Sequence, residues 1–372
     1  MVTKNILILS RTFYPENSPR SFRTTELAKE LARQEHGVTV LLPANVKSSE
    51  MLDFAMQHHI KLEFYQPLVW KGLKRSKLFG DWSRKFGRLL FLFFEYPNIE
   101  IYFKLPQYLK TIKKKYDLLI SIAVPHENHW AVAKLQRNKK LADTWIADCG
   151  DPFVGNKLES MSPPFYFRSL ENNFLKTADY ISVPTAGAIS AYNPKYRDKF
   201  RIIPQGFNFE NVQLAQYSPD STKIRFAYAG GVAPSGIRSP HQLINYLLSK
   251  EEIDFEFHIY SKNLESLRQL EQQANGKLVL HQAVSRDVLL YELSKMDFLV
   301  NLDNGMDTAS PSKLIDYALT KRPVLNVSPQ NIQKQLVDEF LKRNYTNQFI
   351  TDNIEQYNIV NVAKKFIKLS DD

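Results

Sequence analysis

What this chain lacks narrows the possibilities first. It holds a single cysteine, Cys149, in 372 residues. Neither a disulfide framework nor a cysteine-based zinc site can form, and a reducing compartment suits it. Long apolar runs are missing too. The most apolar stretch, "LLFLFFEY" from Leu89 to Tyr96, is far shorter than the ~20 residues a membrane-spanning helix needs. The run in "MVTKNILILS" is too short for a secretion signal and is expected to form a first buried strand. Acidic residues are in deficit: 39 Asp and Glu against 49 Lys and Arg, a formal charge of +10. Such a balance points to an anionic partner, and nucleic acid, phospholipid head groups and phosphorylated small molecules all qualify. No short-period repeat or low-complexity segment occurs.

What is present alternates in type. "NILILS", "ELAKELARQ" and "GVTVLLP" read as strand, helix and strand, the unit of a parallel sheet. "DLLISIAVP", "ENHWAVAKLQRNKK", "TWIADCGDPF" and "DYISVP" continue the series. After the Pro- and Tyr-rich stretch "AYNPKYRDKFRIIPQGFN" a second series begins with "KIRFAYAGG" and runs through "IDFEFHIYS", "KLVLHQAV" and "DFLVNL" to "SPSKLIDYALTKRPVL". The expected class is α/β, with two doubly wound Rossmann-like domains and a cleft between them. The domains are placed at 1–190 and 200–350, with a helix in 351–372. A length beyond ~250 residues favours two cores over one.

Taken in order, "RTFYPENSPRSFRTTELAKELARQEHGVTVLLP", "ADYISVPT", "IIPQGFN", "FAYAGG" and "SPSKLIDYALTKRPVL" resemble the landmarks of the retaining GT-B glycosyltransferases of family 4, over essentially the whole chain. The resemblance implies a metal-independent enzyme that moves a sugar from a nucleotide diphosphate sugar to a glycan or polyprenyl-diphosphate-linked acceptor. It implies a place in capsule, exopolysaccharide or lipopolysaccharide synthesis, a donor held by the second domain, and a last helix that crosses back to the first. No cofactor besides the donor substrate is implied. The second of the family's paired glutamates falls on Asp316 and the first on Thr308. Gly231 stands where the family has an arginine that grips the diphosphate, and Arg238 lies close by in the same loop. A nucleotide-sugar epimerase on the same scaffold, or an inert glycan- or membrane-binding relative, are the alternatives.

The residues themselves suggest how a diphosphate would be held. Ser310 suits an N-cap and Pro311 the first helical position, which leaves the N–H groups of Ser312 and Lys313 for a phosphate, with the Lys313 charge beside them. Ser310-Pro311 is equally ordinary helix-start grammar. Asp316 offers a carboxylate to two ribose hydroxyls, or is an acid favoured by the helix dipole. Gly230 and Gly231 let backbone approach a phosphate, Arg238 is a candidate clamp, and Ser261 and Lys262 close another strand end. In the first domain, Glu16, Arg20 and Arg23 follow strand one, and His126, Asp148 and Asp151 end later strands. Of these, Glu16, His126, Asp148 and Asp151 are candidate catalytic groups and Arg20 and Arg23 candidate phosphate ligands. No histidine spacing supports a metal.

From Trp70 to Lys115 basic and aromatic residues interleave. That mixture suits an anionic membrane surface, or a helix with an aromatic core face and a solvated basic face. Nucleic acid is not expected as a partner, because no nucleic-acid fold motif accompanies it. The expected location is the cytoplasm, with the protein resting peripherally on the inner face of the membrane.

Overall fold

The computed structural model describes residues 2–72, 80–136, 138–155, 163–210, 212–220, 222–303 and 312–371, with only the backbone of 80–84 and 312. Two compact units result, one formed by residues 1–208 with 356–372 and the other by 209–355.

The first unit holds a parallel sheet of seven strands: β1 (Asn5–Leu9), β2 (Gly37–Pro43), β3 (Lys61–Tyr65), β4 (Tyr116–Ala123), β5 (Ala142–Cys149), β6 (Tyr180–Val183) and β7 (Phe200–Ile202). Their order is β3-β2-β1-β4-β5-β6-β7. Side chains alternate across a strand, and here both faces are covered. Ile6 and Ile8 join one buried cluster while Leu7 and Leu9 join the other. This explains why β1 reads as an unbroken apolar run. β7 was hidden in the Pro- and Tyr-rich stretch. Three residues are too few to show a period, yet Phe200 to Ile202 pair with β6 in parallel.

The second unit repeats the plan with five parallel strands: β8 (Ile224–Ala229), β9 (Phe255–Ser261), β10 (Leu278–Gln282), β11 (Phe298–Leu302) and β12 (Val324–Val327), ordered β10-β9-β8-β11-β12. Phe226, Phe257 and Phe298 stack at its centre. In each unit the order reverses beside the first strand, between β1 and β4 and between β8 and β11. The loops at the carboxyl ends separate there and leave room for a ligand.

Helix Ile359–Lys368 belongs to the first unit. Asn358 caps it by accepting from the Val360 N–H at 3.1 Å. Ile359, Val362, Ala363, Phe366 and Ile367, spaced as one helical face, are buried in the cluster that contains Ile8, Leu27 and Leu31. Gly206 makes room for it: a Cβ there would lie 2.4 Å from Ile359 Cδ1. Phe366 is fully buried. Phe366→Ala is expected to cost about 3–5 kcal/mol, measured by urea unfolding; a loss below about 1 kcal/mol would show that the helix adds little to the core.

Candidate functional site

In the second unit, a cavity of about 400 Å³ opens among the loops that follow β8, β9 and β10 and the helix Ser312–Thr320. Its lining includes Gly230, Gly231, Ser261, Lys262, Lys313 and Asp316. Residues selected from three separate motifs are therefore brought together, as expected of carboxyl-end loops next to a switch point.

The glycine loop is tied down by two buried tyrosines. The Tyr228 hydroxyl donates to the Gly231 carbonyl at 2.8 Å, and the Tyr317 hydroxyl accepts from the Ala229 N–H at 2.8 Å. A Cβ on Gly230 would sit 2.8 Å from the Tyr228 hydroxyl. A side chain there would dislodge the anchor of the loop.

The electrostatics of the cavity are positive. The Lys313 ammonium lies 5.0 Å from the centroid of the Tyr228 ring. Burial, and then the charge of Arg238, pull its pKa down to about 8, against a weaker opposing pull from Asp303. Arg238 Nη1 lies 3.6 Å from where a Cβ on Gly231 would stand. A guanidinium that starts seven positions along the chain thus reaches the space a side chain at 231 would enter. Neither Lys313 nor Arg238 forms an ion pair among the described residues. The Ser261 hydroxyl is buried at the end of β9, where it accepts from the Asn263 N–H at 3.3 Å.

Asp316 has a partner that sequence reasoning missed. Arg286 Nε donates to Asp316 Oδ1 at 2.8 Å, and Nη2 forms an ion pair with the same oxygen at 2.7 Å. Oδ2 has no partner among the described residues. Burial raises the Asp316 pKa and Arg286 works against that rise. Arg286 opens the helix Arg286–Ser294 after β10, and only its place at a strand end hinted at a role. Tyr260, on the cavity wall, stacks on His281 at 4.4 Å, and His281 hydrogen-bonds His258 at 2.9 Å. Ser310, Pro311 and Thr308, and the side chain of Ser312, lie outside the described residues.

The candidates of the first unit fare differently. Arg23 and Asp148 meet each other rather than a ligand. Arg23 Nε and Nη2 donate to the two carboxylate oxygens at 3.0 and 2.9 Å, Nη1 donates to the Pro204 carbonyl at 2.6 Å, and the Ser182 hydroxyl donates to Asp148 Oδ1 at 2.6 Å. Both residues are buried, and Arg23 lies over the Phe366 ring. Although burial opposes it, Arg23 keeps the Asp148 pKa below its usual value. This pair is a structural clasp between β5, β6 and helix Pro19–Arg33, and the reading of Asp148 as catalytic and Arg23 as a phosphate ligand is corrected accordingly.

His126 is buried too, and burial pushes its pKa down to about 3. A neutral ring enclosed among His129 and Phe153 is a poor base for an acceptor in solution, which corrects the catalytic reading of His126. Potential ligand atoms of His126, His129 and Cys149 lie within 4.8 Å of one another. His129 is already engaged, by the Ser121 hydroxyl at 2.7 Å and Cys149 Sγ at 3.5 Å, and burial raises the thiol pKa. We read His129 and Cys149 as a hydrogen-bonded core pair with His126 packed beside it. Arg20 pairs with Asp151 at 3.3 Å, with Asp151 exposed, and Glu16 is exposed.

Two parallel sheets wound in these orders have the GT-B architecture, two Rossmann-like domains in one chain. Solved structures agree over nearly the full length. The chain is similar to the apo form of the lipopolysaccharide outer core galactosyltransferase WaaB, with 13% identity, 98% of each chain covered and a TM-score of 0.61. It is similar to HepE of Anabaena in complex with UDP, at 10% identity, 98% of each chain and a TM-score of 0.57. A UDP-N-acetylglucosamine 2-epimerase is also similar, at 13% identity, 98% of this chain, 94% of the other and a TM-score of 0.50. At these identities the likeness establishes the fold. No family model matches the chain, and no curated protein matches it.

Two stability tests follow from these charges. Because the fold lowers the Lys313 pKa, its charged form is less favourable folded than unfolded at neutral pH. Lys313→Met is expected to make the free protein more stable by about 1–2 kcal/mol in urea unfolding at pH 7. Arg23→Met is expected to cost about 3–5 kcal/mol, and adding Asp148→Leu to recover much of it, since the single change strands a buried carboxylate. A double variant no better than the single would remove the charge argument.

Proposed function

We propose that the chain is a glycosyltransferase whose second unit holds a nucleoside diphosphate sugar and transfers its sugar, with retention and without a metal, to a glycan or lipid-linked glycan of a surface polysaccharide. One observation carries the reading: two cations without ion-pair partners among the described residues, Lys313 and Arg238, stand beside a glycine loop at the carboxyl end of β8. A diphosphate supplies the missing anion. That a similar structure holds UDP supports the choice of ligand.

The chemistry asks most of these charges as the donor breaks. The bond between the anomeric carbon and the phosphate oxygen lengthens, and negative charge accumulates on the departing nucleoside diphosphate. Lys313 and Arg238 meet that charge as it develops. The acceptor oxygen bonds to the anomeric carbon on the same face, and its proton passes to the departing phosphate. No protein nucleophile is required, so the absence of a glutamate at Thr308 leaves the route open. Asp316 Oδ2 offers an acceptor to the ribose hydroxyls while Arg286 fixes the other oxygen. Ser261 and Lys262 complete the wall nearest β9.

Likeness to an epimerase favours one alternative reading, conversion of the nucleotide sugar itself. Incubating the protein with a UDP-sugar and no acceptor separates the two. An epimeric nucleotide sugar among the products would replace transfer by epimerisation.

A panel of UDP, GDP, CMP and ADP sugars in thermal-shift assays is expected to give one clear rise in melting temperature, abolished by Lys313→Ala. No shift with any nucleotide would support an inert relative instead. Binding is also expected to depend on pH. Lys313 is charged below about 8 and neutral above it, so affinity for UDP should fall as pH rises through that value. Lys313→Arg keeps its charge and should flatten the profile. A wild-type affinity constant from pH 7 to 9 would contradict a phosphate contact by Lys313.

A further inference from the structure

The helix Gly80–Phe94 of the first unit turns its apolar residues to solvent. Phe86, Leu89, Phe93 and Phe94 are spaced i, i+3, i+7 and i+8, so they share one helical face, and they are 47%, 48%, 44% and 59% exposed. From Lys85 to Phe94 no side chain is buried. On a helix of a folded unit this face ordinarily meets the core. By contrast, the next helix, Glu100–Thr111, does bury Ile101, Leu105 and Leu109.

The patch extends beyond the one helix. The Tyr166 hydroxyl donates to the Phe93 carbonyl, which brings the exposed Phe165 beside the helix end. Past the other end of the same turn, Tyr96 stacks on Trp70 at 5.7 Å, and Trp70 lies 6.3 Å from Phe103. Trp70 and Phe103 are exposed as well. A contiguous aromatic surface of this kind is uncommon on a monomer and marks a place of contact.

Charge indicates the occupant. Lys85, exposed, borders the apolar face, Arg88 is exposed further round the same helix, and Lys71 is exposed next to Trp70. A second copy of this chain would set these cations against their own images in a molecule of formal charge +10. An anionic bilayer satisfies both halves of the pattern. Its acyl boundary takes the rings, and its phosphates take the ammonium and guanidinium groups. We propose that this face of the first unit docks on an anionic lipid bilayer, with helix Gly80–Phe94 lying in the plane of the interface. The proposal uses none of the cavity residues of the second unit, so it stands or falls apart from the transferase reading.

Co-sedimentation of the full chain with lipid vesicles tests it. The protein is expected to pellet with vesicles rich in phosphatidylglycerol and to stay in solution with pure phosphatidylcholine. Phe86→Ser, Phe93→Ser and Phe94→Ser together should weaken pelleting about ten-fold or more, with the thermal melt and any nucleotide-induced shift unchanged. Lys85→Glu with Arg88→Glu should weaken it as well. Failure of the wild type to pellet, equal pelleting with both vesicle types, or undiminished pelleting of the aromatic variant would overturn the proposal. So would a dimer in sedimentation velocity that the aromatic variant dissolves, since the occupant would then be a second copy.

Discussion

Lys313 keeps an ammonium where burial and a neighbouring guanidinium both work against its charge. An arrangement of that kind is unfavourable in the free protein, and it is the arrangement an anion would relieve. Much of the second unit serves to hold it. Tyr228 lies beneath the ammonium and pins the glycine loop through the Gly231 carbonyl. Tyr317, one turn along the helix that carries Lys313, fixes the backbone of Ala229 from the other side. Helix and loop are therefore positioned against each other by buried hydroxyls, and the cavity inherits their rigidity.

Parallel topology places the cavity where it is. All strand pairs among the described residues of both units are parallel, so the loops after the carboxyl ends come to one edge of each sheet. In the second unit that edge gathers phosphate-competent groups. In the first it gathers a clasp: Arg23 and Asp148 hold the carboxyl ends of β5 and β6 to helix Pro19–Arg33 and to the Pro204 carbonyl. The same residue types, an arginine and an acid near a strand end, thus take a structural part in one unit and a binding part in the proposed function of the other. What separates them is pairing. Arg23 spends its donors on protein acceptors, whereas Arg238 is exposed and makes no ion pair among the described residues.

Much of the fold was legible because buried parallel strands read as apolar runs. β8 and β9 interrupt that pattern with Arg225, Glu256 and His258, while β1, β2 and β4 carry it. β7 did not, since three residues in a Pro- and Tyr-rich stretch show no period. In the second unit, Gly230, Lys313 and Asp316 were legible from local grammar, a glycine turn after a strand and a helix start after another. Arg286 was not, because its tie to Asp316 spans 30 positions and no local pattern encodes it. His126, Asp148 and Arg23 were misplaced for a related reason. A polar residue at a strand end looks the same in sequence whether it faces solvent or a partner 125 positions away, as Arg23 and Asp148 do. Burial decides, and burial is a tertiary property.

Ligand binding and protonation of Lys313 must be linked if its charge meets a phosphate. The direct measurement is calorimetric titration of UDP near pH 8 in buffers of different ionisation enthalpy, which counts the protons taken up on binding. Since the Lys313 pKa lies at about 8 in the free protein, uptake of up to about half a proton is expected, and none in Lys313→Met. Binding of UDP without proton uptake, or with uptake unchanged by Lys313→Met, would contradict a diphosphate site built on this lysine.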